Sequence, residues 1–209
     1  MSPRGRPRGF DRDAALAAAM RVFWERGYDG ASLADLTAAM RINSPSLYAA
    51  FGGKEALFRE AVALYGATHG GHTRRALTEK PTARAAIEAM LRDNLAAYTD
   101  PALPPGCMVV LAATTATPAN HGVREHLATL RRETLADIRT RLDRGVADGD
   151  LPAGVDTAAM ATFYGTVLFG LSIQARDGRA TGELAAVVDA AMGAWDSFTR
   201  PARPGIGRP

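Results

Sequence analysis

Two groups of residues in this chain could do chemistry. Arg4, Arg6, Arg8 and Arg12 crowd the N-terminus, and residues 32–54 add Ser32, Arg41, Ser44, Ser46, Tyr48 and Lys54. Guanidinium, ammonium and hydroxyl groups in that mixture bind phosphate oxygens by charge and by hydrogen bonds. The second group is a single thiol. Cys107 follows Pro104, Pro105 and Gly106, which places it in the first turn of a helix, where the dipole favours a thiolate. A redox or electrophile sensor and a small residue at a crowded helix start both account for it. Of the four histidines, His69 and His72 share a face at i, i+3 of one helix. No acid stands at a matching spacing, so no metal site is expected. No phosphate-cradling glycine loop, nucleophile elbow or HExxH motif is present, so neither enzymatic activity nor a cofactor is expected.

The distribution of charge favours the first group. Residues 1–59 hold nine Lys and Arg against six acids, which is the whole of the formal net charge of +3. An excess confined to one end suggests a polyanion partner, with a merely solvated tail as the plainer reading. The chain has 209 residues, 47% of them hydrophobic, and one cysteine. These values fit a soluble helical protein and exclude a disulfide-stapled secreted scaffold. Arginines and no apolar leader at the N-terminus point to the cytoplasm. Between Asp156 and Arg176 lie 19 uncharged residues, close to a bilayer-spanning length. Three threonines, a serine, a tyrosine, a glutamine and two glycines among them argue instead for a helix buried on nearly all sides.

The elements that must position these groups are all helical. Apolar residues recur at helical spacing between Gly, Pro and Asp breaks, and no strand-like alternation persists. The fold class is therefore all-α, with about nine helices at residues 11–26, 32–40, 43–51, 54–78, 82–99, 106–117, 121–147, 156–175 and 183–198. Gly27 should end the first. Ser32 opens the second with Asp35 in a capping-box position, and Asn43 caps the third, which carries Pro45 in its first turn. The third has Ile42, Leu47 and Phe51 for its buried side and small polar groups at its N-terminal end. Three helices of this length, the last two joined by a tight turn, have the layout of a helix-turn-helix unit.

The segment from Ala31 to Phe58, ASLADLTAAMRINSPSLYAAFGGKEALF, closely resembles the signature of TetR-family transcriptional regulators. Leu47, Tyr48, Phe51, Lys54, Glu55 and Leu57 are its most specific part. The resemblance implies that Ser44, Pro45, Ser46 and Tyr48 face the major groove or its phosphates, that Lys54 clamps a phosphate, and that Ser32 caps its helix while touching the backbone. Tyr48 could instead pack its ring into the three-helix core, and Lys54 could be a solvated charge. Arg41 stands where the family has glycine; either the turn differs or Arg41 adds a phosphate contact. Ala49 is short enough to meet a thymine methyl. Ahead of the first helix, Pro3, Arg4, Gly5, Arg6 and Pro7 resemble the core of an AT-hook. That leaves Arg4 and Arg6 either in a narrow A·T minor groove or in generic phosphate attraction.

The resemblance further implies a division into a basic arm (1–10), a helix-turn-helix domain (11–52), an effector-binding and dimerisation domain (53–200) and a tail (201–209). Polar or soft groups on apolar helices are the candidate effector contacts: Tyr65, His69, Met90, Asn94, Tyr98, Cys107, Met108, Phe163 and Tyr164. Few fixed charges accompany them, so the effector should be largely apolar. Gly165 and Gly170, with the apolar stripe from Leu184 to Phe198, suit a two-by-two helix bundle between two copies. The expectation is a homodimeric regulator, most simply a repressor released from a palindromic operator by a small molecule. Its recognition helices would stand roughly 34–36 Å apart. A helical-bundle enzyme or carrier, or an architectural DNA binder without an effector, are the alternatives.

Overall fold

The structure is a computed structural model that describes residues 9–114 and 120–200. Among these residues there are eleven helices and no strand. They are α1 (Arg12–Gly30), α2 (Leu33–Met40), α3 (Ser44–Phe51), α4 (Lys54–Thr68), α5 (His72–Glu79), α6 (Ala83–Tyr98), α7 (Met108–Leu111), α8 (His121–Ala147), α9 (Thr157–Arg176), α10 (Thr181–Gly193) and α11 (Trp195–Thr199). Arg4 and Arg6, and the tail 201–209, lie outside the described residues.

Packing divides the chain into two units, one of residues 1–70 with 107–128, the other of 71–106 with 129–209. In the first, Asp11 caps α1 by accepting from the Asp13 and Ala14 amides. The regular helix breaks at Gly27, as its glycine suggests, with φ +70°, and one further turn follows. There the Tyr28 N–H donates to the Ala112 carbonyl at 2.7 Å. A β-carbon on Gly27 would stand 3.0 Å from that oxygen, so this position needs glycine for its dihedral and for the close approach. Phe23, Tyr28 and Phe58 interlock, with Phe23 and Tyr28 both meeting Phe58 edge-on. Such aromatic pairs add to the burial of their area.

The second unit is built on α6, which packs against α5, α9 and α10. Tyr164 is wholly buried there beside Phe163, Trp195 and Phe198.

Four expectations are corrected. Residues 54–78 are two helices, because the His69 and Gly70 amides both turn back to the Tyr65 carbonyl (2.8 and 2.7 Å). His69 and His72 therefore belong to different helices. Residues 183–198 break at Ala194, whose amide is shared between the Ala190 and Ala191 carbonyls. The helix expected at 106–117 has four described residues, and Cys107 precedes it in extended conformation as its N-cap. Finally, α9 is not buried on nearly all sides. Its length and composition would suit a membrane span, but Met160, Ala161, Tyr164, Leu168, Leu171 and Ala175 form one buried stripe. Phe163, Val167 and Phe169 are only partly covered, and Ile173 is 43% exposed.

The two glycines of α9 also separate. A β-carbon on Gly165 would overlap Cδ2 of Leu135 on α8, whereas one on Gly170 would meet nothing within 4 Å. Gly165→Leu should therefore overpack this contact and cost about 1–3 kcal/mol. Thermal denaturation should show melting several degrees below the parent; an unchanged midpoint would mean that α8 and α9 are not held this closely.

Candidate nucleic-acid interface

The site is built on α3, eight residues long. Leu47 and Phe51 are buried on one side, while Ser44, Pro45, Tyr48 and Ala49 are exposed on the other. The Asn43 side chain accepts from the Ser46 amide at 2.9 Å, which fixes the N-terminal turn. Gly52, in the left-handed region, closes the C-terminal end. Tyr48 is 51% exposed and so is not a core residue. Its ring edge comes within 3.6 Å of where a Gly53 β-carbon would be. Gly53 has φ +140°, and together these keep the tyrosine lying across the start of α4.

Lys54 opens α4 with its ammonium 4.4 Å from the centroid of the Tyr28 ring. Burial pulls the lysine pKa down, and the Asp29 carboxylate opposes this. Lys54 is thus a partly desolvated cation held over an aromatic face, not a freely solvated one. Burial also raises the Tyr28 phenol, with the charges of Glu55 and Asp29 adding to it.

At the turn, Arg41 takes the left-handed conformation that glycine would adopt, φ +55° and ψ +40°. Its amide donates to the Ala38 carbonyl (3.2 Å) and the Ile42 amide to the Thr37 carbonyl (3.1 Å). This is the paired closure of a Schellman turn. The turn therefore keeps the glycine geometry despite the arginine, and its side chain is exposed. Ser32 completes a reciprocal capping box with Asp35. The Ser32 hydroxyl, then its amide, then Arg26 hold the Asp35 carboxyl below the usual range.

One residue that holds α3 in place was not visible as such in the sequence. Arg12, counted there among the phosphate-seeking arginines, instead binds both Glu60 oxygens (2.8 and 2.7 Å) and donates to the Ala50 carbonyl at 3.3 Å. Its guanidinium lies 4.3 Å from the centre of the Phe51 ring. It ties the last turn of α3 to α1 and α4. Beside α3 runs a groove of about 440 Å³ bounded by Gly9, Phe10, Arg41, Asn43, Ser46 and Ala49, which brings residues 9 and 10 beside α3.

The candidate effector residues fall in both units. In the first, Tyr65 and Met108 are buried, and His69 and Cys107 are half-buried. Burial, then the charge and hydrogen bond of Cys107, raise the Tyr65 phenol. Trp24 meets the Tyr65 ring edge-on at 4.8 Å and the His69 ring at 5.3 Å. In the second, Met90, Asn94 and Tyr98 lie on the buried side of α6. The Asn94 amide donates to the Met90 carbonyl and the Thr73 hydroxyl. Tyr164 donates to the Ala191 carbonyl, and burial pushes its pKa up to about 12. Phe163 is partly exposed. Among the described residues no three His, Cys, Asp or Glu side chains gather as metal ligands would.

A short capped helix, anchored on one side and bare on the other, following a tight turn from its neighbour, has the geometry of a helix-turn-helix unit. Residues 15–61 match the model of bacterial regulatory proteins of the tetR family, and residues 81–176 match the tetracyclin repressor-like C-terminal domain. The chain is similar to the transcriptional repressor ComR of Escherichia coli, with 32% identity over 94% of each chain. It is also similar to the repressor BdcR of the same organism, with 30% identity over 87% of each. A solved structure of a cysteine-substituted CifR bound to 26-bp operator DNA superposes with a TM-score of 0.89. It has 54% identity and covers 91% of this chain and all of its own. The chain belongs to the TetR family: it is a DNA-binding transcriptional repressor and not an enzyme.

The left-handed arginine gives a test of the turn. An L-residue in that region costs about 1–2 kcal/mol, offset in part by the greater chain entropy lost by glycine. Arg41→Gly should therefore stabilise the protein by about 0.5–1 kcal/mol, a rise of roughly one to four degrees in melting temperature. A fall would show that the Arg41 side chain contributes more than its backbone costs.

Proposed function

We propose that two copies of this chain bind a palindromic operator through their α3 helices and that a small, largely apolar effector releases them. The observation that carries the dimer is the bare side of α9 and α10. Ile173 is 43% and Val187 46% exposed, and Gly170 faces open space. Apolar side chains beside a glycine let a second helix pair approach closely and bury them, and a twofold protein reads a twofold site. On the operator, Ser44, Pro45, Ser46, Tyr48 and Ala49 face the major groove. Ser32, Arg41 and Lys54 hold phosphates, and Arg4 and Arg6 extend the contact from the arm. The similarity to CifR, which was solved in complex with its operator DNA, supports this assignment. Such a protein works beside the chromosome, in the cytoplasm.

The effector contacts are drawn from Tyr65, His69, Cys107 and Met108 and from Met90, Asn94, Tyr98, Phe163 and Tyr164. The predominance of apolar side chains among them favours an uncharged ligand. Release requires only that the effector bind a state with a different recognition-helix spacing more tightly than the DNA-bound one. A second reading makes Cys107 the sensor, since its half-buried thiol interacts with the Tyr65 phenol.

Selection of bound duplexes from a random pool should return inverted half-sites about 10 bp apart or a multiple of that. Gly170→Arg should give monomers in sedimentation velocity and lose those sites. A monomeric parent, or equal retention of all duplexes in moderate potassium chloride, would reject the proposal. Cys107→Ser separates the two sensing modes. If the thiol is the sensor, a peroxide that releases the parent protein from DNA leaves this variant bound; equal release of both eliminates the thiol.

A further inference from the structure

Within the second unit, a cavity of about 290 Å³ opens between α5 and α8, bounded by Arg74, Leu77, Asp137, Arg141 and Arg144 with two threonines. Three guanidinium groups there face one carboxylate. Arg141 decides what the cavity can take. It is only 4% exposed, yet it forms no ion pair among the described residues. Its Nη2 donates to the Lys80 and Pro81 carbonyls at 3.4 and 3.2 Å, just beyond the end of α5. Its Nε and Nη1 are buried with no hydrogen-bond partner among the described residues.

A buried donor left unbonded is destabilising, and a buried cation without a counter-ion more so. The neighbours do not relieve this. Arg144 reaches Asp148 only at 4.0 Å, on the exposed surface, and Arg74 has no carboxylate partner among the described residues. Burial and the charge of Arg144 both pull the Arg141 guanidinium below its ordinary value, against Asp150 and Asp148. A guanidinium stays charged at neutral pH all the same. What would satisfy the group is an acceptor with negative charge, entering from the open side.

We propose that the cavity between α5 and α8 binds an oxyanion, either a phosphate group or a paired carboxylate, with Arg141 in its wall and Arg74 and Arg144 at its mouth. Asp137 limits the charge the site gains and selects against a second anionic group on its own side. Leu77 offers an apolar surface to whatever carbon the ligand carries. This site is separate from the apolar effector contacts and does not depend on them.

The test is calorimetric titration of the full chain with inorganic phosphate and, separately, with succinate, each against chloride at matched ionic strength. The parent should bind one or both saturably. Binding only phosphate, or only succinate, identifies the group. Arg74→Ala with Arg144→Ala, both at exposed positions, should weaken binding at least about tenfold, and Arg141→Met should abolish it. Arg139→Ala should leave it unchanged, since Arg139 is exposed and pairs with Asp143. If Arg141→Met fails to fold, the double variant alone decides. No saturable binding, or equal binding by the double variant, overturns the proposal.

Discussion

An eight-residue helix does not hold its shape in water, because nucleation costs more than so few hydrogen bonds return. Everything the first unit does follows from having to hold α3 in place without covering the side that must stay bare. The solution divides the helix lengthwise. Leu47 and Phe51 are committed to the core, Asn43 and Gly52 close the two ends, and Arg12 fastens the last turn to Glu60. Since each restraint acts from behind or from an end, the outward face can carry side chains that contribute nothing to stability. Tyr48 shows this: half its surface is in solvent, and what holds it is the glycine pair at the start of α4.

Much of this was legible in the sequence because it is local. The caps at Ser32 and Asn43, the break at Gly27 and the buried pair Leu47 and Phe51 all follow from spacing within four residues. What escaped was contact between distant segments. Arg12 reaches partners 38 and 48 residues away, and no periodicity marks it off from Arg4 or Arg6. Lys54 finds the Tyr28 ring 26 residues away. The divided helices failed for another reason. Gly66, Gly70 and Gly71 were read through although the apolar stripe from Leu57 to Tyr65 ends before them. In the candidate effector region, residue type alone could not separate core from pocket. Asn94 and Tyr164 are polar groups whose hydrogen bonds are met inside the unit.

The same limit applies to α9. Gly165 and Gly170 are equivalent to a sequence reading, five residues apart in one apolar run. In the fold, the first is where Leu135 presses in and the second meets nothing. A helix apolar on most of its circumference has to cover two faces, and a single chain of this size covers one. Composition shows that most of the circumference is apolar, while only the packing shows which face this chain covers itself.

Net charge pointed to the DNA-binding end of the chain without telling its cations apart. The excess in residues 1–59 suggested one population of arginines and lysines turned towards a polyanion. The structure sorts them by surroundings instead. Arg12 is neutralised by Glu60, Arg26 by Asp35 and Arg59 by Glu55; these act within the fold. Among the described residues Arg41 and Lys54 keep no carboxylate partner, and each is held at some cost, one by a left-handed backbone and the other by partial desolvation. A cation with a fixed position and a thinned water shell attracts a phosphate more strongly than a mobile, fully hydrated one. Lys54, half-buried over the Tyr28 ring, meets that description, and this is the ground on which we propose it as a phosphate contact.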